Sequence, residues 1–394
     1  MRNADAEKAI RVEVDRCVKC GLCLPECPTY RLASDENESP RGRLALIDGL
    51  VSGRLDADGP LLRHLDNCLS CRRCERVCPS QVRYGFLIDG ARSLVPRRPG
   101  TRLTTWIQRP ALLKAATGLA RAIPPALSRP FPPLHRLHAL ARALPPHGAP
   151  PAPGTYPSRA PQTRGRVGLF VGCAGAAQQA GTLNAALELL QHAGYEVSIP
   201  RTTSCCGALA QHSGDPETAA RLAEHTHQAF DDGLDAVISV ASGCGIHIDS
   251  YRPALRAPHL DVSRFLLEQG GLTRERFEAL PISVALHTPC SVENVYRGAA
   301  WARGLLGLIP ELRVETVGTP GQCCGAAGDH MLRKPVQAAR LRDPLLQQLE
   351  SGGLTLMLTS NVGCAMHLAA GLAEAGGGVE VLHPVELLAR QLRR

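Results

Sequence analysis

Eight cysteines before residue 80 fall into two runs of one spacing: Cys17, Cys20, Cys23, Cys27 with Pro28, and Cys68, Cys71, Cys74, Cys78 with Pro79. Each reads C-x2-C-x2-C-x3-C-P, the run whose thiolates hold a [4Fe-4S] cluster, so two copies predict two clusters. A zinc site would instead pair two cysteines with a distant second pair, whereas four ligands crowd here into one short loop. Two-residue gaps let successive thiolates wrap one cube, and the proline ends the loop and restricts its neighbour. In two-cluster ferredoxins the fourth cysteine of each run ligates the other cluster. The expected sets are therefore Cys17, Cys20, Cys23 and Cys78 for cluster one, and Cys68, Cys71, Cys74 and Cys27 for cluster two. Two adjacent clusters make a wire for single electrons.

The remaining cysteines form a second pattern. Cys173, then Cys205-Cys206-Gly207, then Cys244 with His247 are followed, 117 to 120 residues later, by Cys290, Cys323-Cys324-Gly325, and Cys364 with His367. Neighbouring Cα atoms lie about 3.8 Å apart, shorter than the usual disulfide span, so the adjacent pairs read as metal ligands. Four cysteines and a histidine suit either an iron–sulfur cluster or tetrahedral zinc. A histidine one turn after a cysteine on an amphipathic helix is also ordinary packing. His287, three residues before Cys290, has no counterpart in the first copy.

The elements that position these groups are legible in outline. Ser39-Pro40-Arg41-Gly42-Arg43 opens a helix through Leu44, Leu46, Ile47 and Leu50, and Leu61, Leu62 and Leu65 precede the second run at helical spacing. This favours an all-α ferredoxin domain, in which Arg41 and Arg43 either offset cluster charge or sit solvated at a helix start. Farther on, apolar runs at 167–171, 196–199 and 236–240 read as strands leading into the first cysteine set. Runs at 282–287, 314–317 and 354–359 do the same for the second. The repeat implies two duplicated α/β lobes related by a pseudo-twofold axis, with cysteines at the carboxyl ends of strands, where helix N-termini favour thiolates. The expected architecture is α+β and multidomain: 1–95 helical with both [4Fe-4S] motifs, 96–166 a connector, and 167–280 and 281–394 the lobes.

The connector is distinctive in composition. Residues 96–166 hold 15 of the chain's 31 prolines and 12 Arg or Lys, with neither Asp nor Glu, so against a net charge of +8 the rest of the chain is acidic. Such a block is a contact surface for something anionic. Trp106, Ile107, Leu112 and Leu113, then Leu119 and Ile123, then Leu134, Leu137, Leu140 and Leu144 form short stripes broken at Pro110, Pro124-Pro125 and Pro145-Pro146. Basic amphipathic segments of this kind lie on an anionic membrane, in a partner's groove, or against neighbouring domains. Few stacking aromatics argue against nucleic acid, and 149–165 reads as a semi-rigid linker.

Sixteen cysteines at metal spacings in 394 residues argue for a reducing compartment. The start of the chain lacks a secretory h-region and no apolar stretch suffices to span a bilayer, so a cytoplasmic location or peripheral attachment to the cytoplasmic face of the membrane is expected. Neither a G-x-G-x-x-G after a strand nor a P-loop is present, so flavin, NAD and ATP sites are not evident.

The paired ferredoxin runs with Pro40-Arg41-Gly42-Arg43 between them, followed by two C…CCG…GC lobes, resemble the iron–sulfur subunits of bacterial glycolate oxidase over essentially the whole chain. Components of anaerobic glycerol-3-phosphate dehydrogenase, of the lactate-utilisation system and of heterodisulfide reductase share the cysteine-rich lobes. The resemblance implies that partner subunits bearing flavin oxidise glycolate to glyoxylate, while this oxidoreductase subunit passes electrons singly towards a membrane quinone. Lactate or glycerol 3-phosphate oxidation would use a similar chain. In heterodisulfide reductase each lobe ends in C-x-x-C and binds a non-cubane cluster. Here those positions read Cys244-Gly245-Ile246-His247 and Cys364-Ala365-Met366-His367, a departure that weighs against disulfide-reducing chemistry. A thiol-disulfide enzyme and a non-catalytic zinc-bearing interaction protein are the rival classes.

Overall fold

The computed structural model describes residues 4–96, 109–122, 141, 148–202, 205–230 and 233–393. Of the apolar stripes in the connector, those at Trp106, Ile107, Ile123, Leu134, Leu137, Leu140 and Leu144 lie outside the described residues. Within 110–122 a helix, Pro110–Ala122, begins at the proline expected to break the stripe. A proline at the first helical position has no N–H to lose, which is why it starts this helix.

Helices α1 (Ala4–Val14), α2 (Pro28–Ala33), α3 (Pro40–Val51), α4 (Gly59–Asn67), α5 (Arg73–Arg76) and α6 (Tyr84–Leu94) form the N-terminal region, with no strand among its described residues. Ile10, Ile47, Leu65, Leu87 and Ile88 are fully buried at its centre. Ser39 caps α3, its hydroxyl accepting from Gly42 N at 2.8 Å. The helix start read from Ser39-Pro40 stands, as does the helix through Leu61 and Leu65.

Two sheets follow. Strands β1 (Gly154–Tyr156), β2 (Gly165–Phe170), β3 (Tyr195–Ile199), β4 (Ala236–Ser239) and β5 (His259–Asp261) are ordered β1-β3-β2-β4-β5. Strands β6 (Ser283–His287), β7 (Arg313–Thr316), β8 (Leu356–Thr359) and β9 (Glu380–Leu382) are ordered β7-β6-β8-β9. All neighbours pair in parallel except β1, which lies antiparallel to β3. The 149–165 stretch, expected as a linker, thus contributes an edge strand to the first sheet.

Parallel strands covered on both faces read as apolar runs, and here each face has a separate job. Val167 and Leu169 of β2, Ala236 and Ile238 of β4, Val284 and Leu286 of β6, and Leu356 and Leu358 of β8 all enter one core. The alternate residues Phe170 and Val237 face a cluster containing Cys173, Cys205 and Cys206. Ala285 and Met357 likewise face Cys324 and Cys364. The main core is therefore shared between the two α/β units rather than divided between them. Its helices pack reciprocally: the helix before β3 (Ala180–His192) lies on the C-terminal helix (Pro384–Gln391), and the helix after β5 (Val262–Gln269) lies on the helix before β7 (Ala299–Leu306). Thr182 Oγ1 donates to Glu386 Oε1 at 2.6 Å across the first of these contacts.

Candidate iron–sulfur and thiol sites

The cysteines before residue 80 line two cavities. Cys17, Cys20, Cys23 and Cys78 surround about 320 Å³ of empty space together with Val18, Lys19, Gly21, Leu22, Arg41, Pro79 and Ser80. Cys27, Cys68, Cys71 and Cys74 surround about 340 Å³ with Thr29, Pro40, Arg43, Leu69, Ser70, Arg72 and Tyr84. The fourth cysteine of each run lines the cavity of the other.

Backbone conformation explains how so short a run curls. Lys19 and Gly21 flank Cys20 with φ of 57° and 84°, and Ser70 and Arg72 flank Cys71 with φ of 51° and 56°. Left-handed residues on either side of the middle cysteine turn the chain back on itself. For the three non-glycine residues this costs on the order of 1–2 kcal/mol each. Cys27 then precedes α2 directly, with Pro28 at the first helical position.

Each cavity also holds one arginine from the start of α3. Arg41 reaches the first, bonding Lys19 O at 3.3 Å and pairing with Glu36 at 2.8 Å, a third exposed. Arg43 lines the second and is 1% exposed. It donates to His64 O at 2.7 Å and to Thr29 Oγ1 at 3.0 Å, and it pairs with Glu38, whose other oxygen takes His64 Nδ1 and Asn67 Nδ2 at 2.7 Å each. Of the two readings of these arginines, the placement beside the thiols is the one observed.

Burial pushes the Cys23 thiol up to about 11 and drives Cys71 and Cys74 well above the ordinary range. Such thiols stay protonated unless a metal replaces the proton. Soft sulfur donors around each cavity, with a guanidinium beside it to balance negative charge, buried for Arg43 and a third exposed for Arg41, fit an anionic iron–sulfur cluster in each.

In the first α/β unit Cys173 is the first residue of a helix (Cys173–Gln178), and Cys244 lies in the first turn of another (Ser242–Asp249). Their thiols are linked in a row through Cys205 and Cys206. In the second unit Cys290 caps a π-helical turn (Ser291–Tyr296) and Cys364 opens the helix Val362–Glu374. The row there runs Cys290, Cys323, Cys324, Cys364, ending with a Cys324–Cys364 Sγ separation of 2.9 Å. The glycine of each CCG has a defined task. Gly207 N and Gly325 N each donate to the first cysteine's Sγ at 3.4 Å. Both glycines have positive φ, 93° and 85°, and a Cβ on Gly325 would come within 2.5 Å of Ala338 O.

Among the described residues, no three His, Cys, Asp or Glu side chains converge as a single metal ion requires. The contacts within each row are sequential. His247 lies near Cys205 and His212, and His367 lies against the Ala338 carbonyl. Burial lowers each imidazole to about 4, leaving it neutral. His287 is buried at the end of β6 and bonds Thr359 Oγ1 at 3.0 Å.

Several residues of the site carry no spacing signal. Tyr251 OH donates to Cys206 O at 2.7 Å, and Asn361 caps the Cys364 helix while reaching Ser242 Oγ of the other unit at 3.2 Å. Only the Asn361-Val-Gly-Cys order hinted at that cap. Ser239, His259 and Asp249 form a Ser–His–Asp row at 2.8 and 2.9 Å, but Ser239 is 1% exposed, so the row ties β4 to β5 rather than presenting a nucleophile.

Comparison with known proteins fits this layout. A 4Fe-4S dicluster domain model matches residues 13–82, and a cysteine-rich domain model matches twice, at 167–249 and 284–369. The chain is 31% identical to the glycolate oxidase iron-sulfur subunit of Escherichia coli, covering 100% of this chain and 97% of that one. It is 30% identical to the probable glycolate oxidase iron-sulfur subunit of Bacillus subtilis, covering 98% and 96%. Similarity to lactate utilization protein A of an Exiguobacterium species, 23% identical, covers 56% of this chain and 96% of that one. With two cluster motifs, two CCG thiol rows and relatives matched end to end, the chain belongs to the family of glycolate oxidase iron–sulfur subunits.

Proposed function

We propose that the chain is the electron-transfer subunit of a glycolate-oxidising complex, with one [4Fe-4S] cluster on Cys17, Cys20, Cys23 and Cys78 and another on Cys68, Cys71, Cys74 and Cys27. The observation that carries this reading is the partition of eight cysteines between adjacent cavities with Cys27 and Cys78 exchanged. When bound, each cluster would accept and release one electron at a time.

The chain's own residues supply the rest. Arg41 and Arg43 place positive charge where a cluster gains negative charge. Cys20 is exposed between exposed Val18 and Leu22, so the first cavity opens towards a donor. The donors in this proposal are separate flavin-bearing subunits, because hydride removal from an alcohol needs an organic acceptor. The acceptor is a membrane quinone, reached from the cytoplasmic face, and the basic composition of 96–166, with neither Asp nor Glu, suits an anionic surface. No helix among the described residues is long and apolar enough to cross a membrane.

We further propose that the two α/β units are duplicated lobes about a pseudo-twofold axis, a reading supported by their matching strand orders and reciprocal helix packing. Each thiol row would hold a further iron–sulfur cluster; the zinc reading, with His247 or His367 as a ligand, is disfavoured because no three such side chains converge on one point among the described residues. A second substrate reading, lactate, draws on the similarity to lactate utilization protein A, while glycerol 3-phosphate rests on the resemblance of the cysteine-rich lobes alone.

The test is metal content and partner recovery. Anaerobically purified protein should carry about eight irons or more per chain, retrieve flavoprotein subunits from its host, and with them support glycolate-dependent dye reduction. Cys78→Ser should remove the first cluster and spare the second. Fewer irons would overturn the two-cluster core, and dye reduction with lactate in place of glycolate would replace the substrate.

A further inference from the structure

We propose that the second α/β unit, and not the first, is the redox neighbour of the Cys27, Cys68, Cys71 and Cys74 cavity, with Asn294 and Glu293 as the positioning residues that hold the two together. The inference rests on the cluster reading above and adds a direction to it.

The first cysteine of each unit leads into a helical turn just after β2 or β6, so the two turns would be equivalent in a symmetric molecule. They have different neighbours. In the first unit the helix Cys173–Gln178 is covered by the connector helix Pro110–Ala122, with Gln178 Nε2 directed at Thr117 Oγ1 at 3.4 Å. In the second unit the π-helical turn Ser291–Tyr296 packs on α5, inside the second cysteine run. Single π-turns recur at functional sites, where the extra residue redirects side chains.

Two side chains of that turn make the connection. Glu293 pairs with Arg76, which lies two residues after Cys74. Asn294 is buried, and its Nδ2 donates to Cys71 O at 2.9 Å and towards Gly321 O at 3.5 Å. One amide therefore bridges the backbone of a cavity cysteine and the loop that carries Cys323 and Cys324. Gly321 has φ of 71°, and a Cβ there would overlap Asn294 Oδ1, so this glycine makes room for the bridge. The thiols of Cys71, Cys290 and Cys323 lie near enough to one another for their charges to interact. Around this contact Lys334 donates to Asn67 and Arg333 lies 3.7 Å from Asp66, so the second unit is clasped to α4 as well as to α5.

The step is a single-electron transfer. The reduced cluster that Cys27, Cys68, Cys71 and Cys74 would hold would return to its oxidised state, and the iron–sulfur centre that Cys290, Cys323, Cys324 and Cys364 would hold would gain that one electron. No bond forms or breaks. Electrons would thus enter at the exposed Cys20 end and leave through the second unit, while the first unit lies off this path.

The experiment uses the full chain, purified anaerobically, reduced with dithionite and examined by electron paramagnetic resonance with stepped microwave power. A paramagnetic neighbour in the second unit speeds relaxation of the cluster-two signal. Cys323→Ser should lower its half-saturation power several-fold, Cys205→Ser should leave it unchanged, and Asn294→Ala should weaken the effect with cluster-two iron retained. If Cys205→Ser slows relaxation and Cys323→Ser does not, or if neither Cys323→Ser nor Asn294→Ala changes it, the assignment is wrong. A wild-type chain with fewer than about eight irons would remove the cluster reading itself.

Discussion

Arg43→Gln removes a charge that is buried beside one cavity only. Arg43 Nη1 lies 3.0 Å from Thr29 Oγ1, which lies 3.3 Å from Cys27 Sγ, so the guanidinium is two hydrogen-bond steps from a cavity thiol. With the added electron spread over a cube roughly 8 Å away and an effective dielectric near 20, Coulomb's law gives about 2 kcal/mol. For one electron that is roughly 90 mV, and its sign is fixed: loss of a positive charge lowers the potential of cluster two. Glu38 keeps His64 and Asn67 as partners, so its carboxylate is not orphaned and the fold should lose about 3 kcal/mol, the lower end for a broken buried pair. Arg41 is a third exposed and paired with Glu36, so Arg41→Gln should shift cluster one by much less. Both shifts are read in one titration of potential followed by electron paramagnetic resonance, each cluster serving as the other's control. Arg43→Gln/Glu38→Gln should recover part of the shift, because it also removes the negative charge. With iron content retained, a cluster-two potential unmoved within roughly 20 mV, or equal movement of both clusters, would refute the electrostatic argument.

Gly42→Ala should abolish stable assembly of cluster two, because its Cβ would overlap the Glu36 carbonyl oxygen and push α3, with Arg41 and Arg43, away from the cavities. Gly59→Ala, with open space around it, is the control, and equal iron content in the two variants would contradict the packing argument. Glu13 provides a pH test. Burial works against its charge, but Arg83 N and Nε donate to its oxygens at 2.7 and 2.8 Å and hold its pKa below the ordinary value. A depressed folded pKa contributes stability above the unfolded value, near 4, and loses it as pH falls through the folded value. Thermal unfolding should show the wild type more stable than Glu13→Gln by roughly 1–3 kcal/mol at neutral pH, with the gap closing below about pH 4. A pH-independent gap would show that the contact matters for packing alone.

The cysteine runs were legible because their geometry is local. A two-residue gap between thiols and left-handed turns at Lys19 and Ser70 depend little on the rest of the chain. The inner strands were legible because burial on both faces demands apolar runs, and β2, β3, β4, β6 and β8 lie within two residues of the segments read from sequence; β7, a largely exposed edge strand, lies as close to its segment without that burial. Strands β1, β5 and β9 are three residues each at sheet edges, too short and too polar to stand out. The shared core was hidden for another reason. It depends on the helix Pro384–Gln391 meeting the helix Ala180–His192 across some 200 residues, and an amphipathic stripe does not reveal its partner.

The same limit explains why repetition in sequence does not mean equivalence in function. Cys173 and Cys290 stand at matching positions, each followed by a turn that must cover its thiol row. What covers each turn comes from segments outside the repeat: the connector helix Pro110–Ala122 for the first, and the cysteine loop carrying Cys71 for the second. A duplicated pair with one member seated on the cysteine loop itself, the other meeting the N-terminal region at Tyr84–Leu94 through His212 and Asp89, can divide its work, because electron transfer needs proximity whereas a structural or acceptor-side role does not. The residues that would carry such a division are not the shared cysteines but the unmatched neighbours Glu293, Asn294 and Gly321, which join the second unit to Arg76 and Cys71. Moving that contact, rather than any ligand, is therefore the change that separates a conducting lobe from a merely folded one.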